Sequence, residues 1–89
     1  MIPNGASFPD MSGIQFLRAE LDTGLTFSRV AETTAHEDKR RRNCAHARKA
    51  YDTVLHFLPN SSLDNGEMNE VKTKLEELRF ALQSLGEKL

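Results

Sequence analysis

With 89 residues, the chain has room for one domain and one modest core, burying roughly two-thirds of its unfolded surface for a stability on the order of 5 kcal/mol. An enzyme with its own deep pocket fits poorly into that size. The net charge of −1 gives no global attraction to nucleic acid or anionic membrane, and a lone cysteine, Cys44, excludes an intramolecular disulfide framework.

Residues 1–10 contain Pro3, Gly5 and Pro9 and read as an irregular arm, with Ile2 and Phe8 as its apolar groups. They lack the basic and apolar regions of a secretory leader, and no apolar run in the chain approaches the ~18–20 residues of a membrane span. A cytoplasmic location is expected. Residues 11–89 read as a single three-helix domain.

The first helix is predicted over residues 12–35, with Ser12 as N-cap. Ile14, Leu17, Leu21, Leu25, Ser28, Ala31 and Ala35 fall on one face at 100° per residue. Gly24, Ser28, Ala31 and Ala35 make the later part of that face small. A mid-helix glycine costs about 1 kcal/mol relative to alanine, so a close helix approach at Gly24 is its simplest explanation, with a break at 22–24 as the alternative. Phe16, Phe27 and Val30 form a second apolar stripe beside the main face.

The second helix is predicted over residues 38–58. Cys44, Ala47, Tyr51, Val54, Leu55 and Leu58 form its apolar face, and Pro59 stops it. No glycine or proline marks its break from the first helix. The third helix is predicted over residues 64–86, with Gly86 as its C′ residue. Met68, Val71, Leu75, Leu78, Leu82, Leu85 and Leu89 recur at three–four spacing and give it a narrow buried seam. Phe80 points about 180° from that seam. No two-residue alternation or β-branched run suggests a sheet. Three helices with short connections predict an all-α, antiparallel up-down three-helix bundle.

Charge is distributed in keeping with that arrangement. Residues 37–58 hold six Lys and Arg against three acids, a net of +3, while the segments on either side each sum to −2. Lys39, Arg40, Arg41, Arg42, Arg48 and Lys49 are the candidate phosphate-binding residues of the chain. They spread over most of the helix circumference, and no aromatic residues are interleaved for base stacking. A solvated basic face pairing with acidic neighbours is the simpler reading.

His36, Cys44, His46 and His56 do not converge, and neither CxxC nor HExxH spacing occurs, so no metal site is expected. No nucleophile triad, glycine-rich phosphate loop or paired carboxylate site is present. No cofactor is expected.

Two resemblances follow from particular residues. The stretch from Arg41 to His46 resembles the Arg-polar-x-x-x-His signature of HEPN-type ribonucleases: from Arg41 the spacing fits with Arg42 in place of the polar residue, and from Arg42 the polar Asn43 follows but His46 comes one residue early. That implies a phosphate-binding arginine and His46 as general base. Ala47, Tyr51, Val54 and Pro59 resemble the Ala, aromatic, small and Pro positions of the second helix of a tetratricopeptide repeat. The same stretch and the leucine-seamed helix after it are similar to a microtubule-interacting-and-transport type domain. The first helix departs from the repeat pattern, and only one repeat unit is present. This second resemblance implies helical-hairpin packing and protein binding.

Taken together, these features predict a non-catalytic protein-interaction or structural module. Phe16, Phe27, Val30 and Phe80 are its candidate partner surface, and a homo-oligomer or another protein is the expected partner. The alternative is a nucleic-acid-binding module using the basic run 39–49.

Overall fold

The computed structural model describes residues 13–89. Three helices follow in order, α1 over Gly13–Thr33, α2 over Glu37–Phe57 and α3 over Asn65–Ser84. A 3-10 turn, Leu58–Asn60, prolongs α2. No strand occurs among the described residues. The helices pack against one another as an all-α three-helix bundle, as the sequence predicts. The expected arm at 1–10 and the expected cap Ser12 lie outside the described residues.

Side-chain pairing fixes the helix directions. Phe27 meets His46, and Phe16 meets Phe57. Going back eleven residues on α1 goes forward eleven on α2, so this pair is antiparallel. Arg18 reaches Glu70 and Asp22 reaches Lys74, so α3 runs parallel to α1, in up-down-up order.

Local chemistry sets the element ends. α1 stops at Thr33, two residues short of prediction. The His36 N–H donates to Thr34 Oγ1 at 3.2 Å, a side-chain turn that competes with continued helix and leaves Ala35 exposed in the link. His36 is the N-cap of α2 without a side-chain cap bond. Glu37 and Asp38 in the first turn place negative charge at the positive end of the dipole. Pro59 lies in the first turn of the 3-10 segment, where its missing N–H forfeits no helical bond.

α3 has the strongest caps. The Asp64 carboxylate accepts from the Glu67 N–H at 2.7 Å, and Glu67 Oε1 accepts from the Asp64 N–H at 3.1 Å, a complete capping box. At the other end Gly86 has φ +98°. The Gly86 N–H donates to Gln83 O and the Glu87 N–H to Leu82 O, each at 3.0 Å. These are the two bonds of a Schellman motif.

Leu17, Leu21, Ala31, Ala47, Val54, Val71, Leu78 and Leu82 are fully buried, joined by Ile14, Cys44, Ala50 and Tyr51. α1 is continuous through Gly24. A Cβ built there would lie 2.7 Å from Leu78 Cδ2 and 3.1 Å from Ala50 Cβ, so Gly24 is the point where all three helices converge. The seam of α3 is buried at Val71, Leu78 and Leu82, half-buried at Met68, Leu75 and Leu85, and exposed at Leu89.

Candidate interaction surfaces

The apolar stripe of α1 turns toward α2. Phe16 receives the edge of Phe57, with ring centroids 5.4 Å apart and planes at 82°. Phe57 is itself met by His56 at 4.8 Å and 89°. Phe27 lies 4.9 Å from the His46 ring at 32°. Phe16 and Phe27 are consequently half-buried, and Val30 is half-buried as well. Phe16 and Phe27 lie along the groove between α1 and α2, on the side of the hairpin away from α3. The aromatic rings of α2 supply much of the cover that the sequence left to a partner.

Phe80 does not join that stripe. Its neighbours in the core direction, Leu78 and Leu82, are buried, while Phe80 is 72% exposed on the outer face of α3. The expected surface of Phe16, Phe27, Val30 and Phe80 is therefore two surfaces on opposite sides of the molecule. Leu55 and Phe57, about half exposed, are further apolar groups at the surface.

The basic residues of α2 divide into two groups. Arg40 donates to Leu85 O at 3.2 Å. Arg48 donates to Glu87 Oε1 at 3.0 Å, to Lys88 O at 3.3 Å and to Asp52 at 3.3 Å. These two arginines fasten the residues after α3 to α2. The bonds to Glu87 and Asp52 hold the Arg48 guanidinium above its ordinary pKa. Arg41 pairs with Glu37 at 3.7 Å and Asp38 at 3.2 Å.

Lys39, Arg42 and Lys49 make no ion pair among the described residues. With His46 they stand at spacings of three, four and three, which places them on one flank of α2. Lys49, His46, Thr53 and Phe27 border the same shallow depression, with Glu20 and Thr23 of α1 on its far edge. The signal for this stripe was the 39/42/46/49 spacing, visible once Arg40, Arg41 and Arg48 are set aside.

The groups of the ribonuclease-like spacing are not assembled. Arg41 is held by the acids of its own first turn, and His46 stacks on Phe27. Cys44 is buried and its thiol donates to Glu87 Oε2 at 3.6 Å. Burial first, then the Glu87 charge, raises the thiol pKa, and Arg40 and Arg48 offset this only in part. No group of three or more potential metal ligands occurs among the described residues. No described helix is long and apolar enough to cross a membrane. No protein-family model, curated protein or solved structure matches this chain.

Proposed function

We propose that the chain is a non-catalytic protein-interaction module that docks a partner segment along the outer groove between α1 and α2. The observation supporting this reading is the half-buried Phe27, stacked on His46 and bordered by Lys49, a cation with no ion pair among the described residues. Apolar anchors ringed by polar groups are the usual form of a recognition site. The two aromatic stations, Phe27 and Phe16, are three helical turns apart, about 16 Å, a span that suits a helical segment lying in a groove. The helical-hairpin resemblance points the same way. A lone buried thiol suits a reducing, cytoplasmic compartment.

The competing reading, phosphate binding by the basic run, has only Lys39, Arg42 and Lys49 of its six cations free of ion pairs among the described residues. Its mark would be nucleic-acid affinity that falls steeply with salt.

A photocrosslinking residue in place of Thr23, exposed on the rim of the groove, tests the module reading in the native host. Discrete protein adducts are expected, and the double change Arg42→Glu, Lys49→Glu should suppress them. Absence of any discrete adduct refutes the reading.

A further inference from the structure

The groove and the outer face of α3 complement one another, although they lie on opposite sides of one molecule. The groove offers a partly covered ring, Phe27, beside Lys49, with Glu20 on its α1 edge; Arg42 and Lys39 continue the flank of α2 that carries Lys49, and none of these three cations makes an ion pair among the described residues. The outer face of α3 offers Phe80, 72% exposed, with Glu76 and Glu77 one turn before it. Glu77 makes no ion pair among the described residues, and Glu76 meets only Arg79, at 3.2 Å. Asn69, Thr73 and Ser84 continue that face, while Lys72 and Arg79 border it on the Glu76 side only.

We infer that the occupant of the groove is the outer face of α3 from a second copy of this chain, with Phe80 seated on Phe27. This rests on the module reading and names its partner. The spacings agree on the two sides. Glu77 precedes Phe80 by three residues, and Lys49 follows His46, the ring on Phe27, by three. Seating Phe80 on Phe27 therefore brings an acid about one turn from its anchor to a cation about one turn from the other. Groove-on-groove pairing would instead set two cationic stripes face to face, which complementary interfaces avoid.

Because donor face and acceptor groove lie on opposite sides of the bundle, the contact is heterologous. Each bound copy presents a fresh face and a fresh groove, so association is open-ended. One helix face against one groove lies at the small end of specific interfaces. The assembly is accordingly weak and concentration-dependent.

Light scattering on the full chain over a concentration series tests this. The mean mass of the wild type should rise with concentration beyond that of a dimer. Phe80→Asp alters an exposed side chain and should leave helicity intact while weakening association at least about tenfold. Arg42→Glu with Lys49→Glu should do the same from the groove side. An equimolar mixture of the two variants should form dimers and stop there, since one partner keeps the intact groove and the other the intact Phe80 face. A wild type that stays monomeric up to about 1 mM, a Phe80→Asp chain that still assembles, or a mixture that stays monomeric each overturns the inference. The Thr23 crosslink separates it from the module reading. An adduct of the chain with itself supports both, an adduct with foreign proteins alone overturns the self-docking and leaves the module standing, and no adduct overturns both.

Discussion

Gly24→Ala changes one hydrogen for a methyl group and opposes two effects of known size. On an exposed helix the change stabilises by about 1 kcal/mol, because alanine loses less backbone entropy. Here the new Cβ would stand 2.7 Å and 3.3 Å from the two Leu78 Cδ atoms and 3.1 Å from Ala50 Cβ, where ordinary contact begins at 3.4 Å. Leu78 is fully buried and has little free space in which to turn. Overpacking of this kind costs about 1–3 kcal/mol. The net expectation is a loss of about 1 kcal/mol, a fall in melting temperature of roughly 4–8 °C for a domain of this size. Shortening the obstructing side chain should change the sign. In a Leu78→Val background both Cδ atoms are gone, and Gly24→Ala should become neutral or stabilising. Urea unfolding followed by circular dichroism measures all four proteins of the cycle. Equal effects of Gly24→Ala in the two backgrounds would show that helix convergence does not explain the glycine.

Two further predictions concern charged groups. Replacing Arg48 by Ala removes the bonds that hold Glu87 and Lys88 over Cys44, so thiol reagents should modify Cys44 several-fold faster in the folded protein; an unchanged rate would mean that the residues after α3 do not shield it. Glu70 accepts two hydrogen bonds from Arg18, at 2.6 and 2.8 Å, and these, then the charges of Arg18 and Lys74, hold its carboxyl below the ordinary range against partial desolvation. A depressed carboxyl pKa adds stability above its unfolded value that is lost as pH falls through the folded value. The stability advantage of the wild type over Glu70→Gln should therefore be full near pH 6 and shrink below about pH 4; a gap constant from pH 6 to pH 3 would contradict the pairing.

The fold was legible in the sequence because its signals are local and periodic. The three–four spacing of Val71, Leu75, Leu78 and Leu82 states the buried side of α3 and, by opposition, the exposure of Phe80. Gly86 marks its own turn. The small face around Gly24 was visible too, although which side chain fills the space is a tertiary fact that only Leu78 and Ala50 supply. The candidate site was less legible. Phe16 and Phe27 read as surplus apolar surface because Phe57 and His46, distant in sequence, cover them. The basic run read as one feature because six cations stand within eleven positions. Arg41 is set aside by its neighbours Glu37 and Asp38, but Arg40 and Arg48 are set aside by where the residues after α3 come to rest, and a carbonyl such as Leu85 O has no signature in an amino-acid string.

The exposed pairs between α1 and α3 have a use beyond their small individual strength. A leucine seam that repeats every three or four residues could slide by one turn along its neighbour and still bury leucines. Arg18 and Asp22 stand one turn apart opposite Glu70 and Lys74, also one turn apart. Sliding α3 one turn one way sets Glu70 against Asp22, and the other way sets Lys74 against Arg18. Either slip exchanges attraction for repulsion. Four surface charges thus act as a vernier, selecting one register from several that a greasy seam alone would accept.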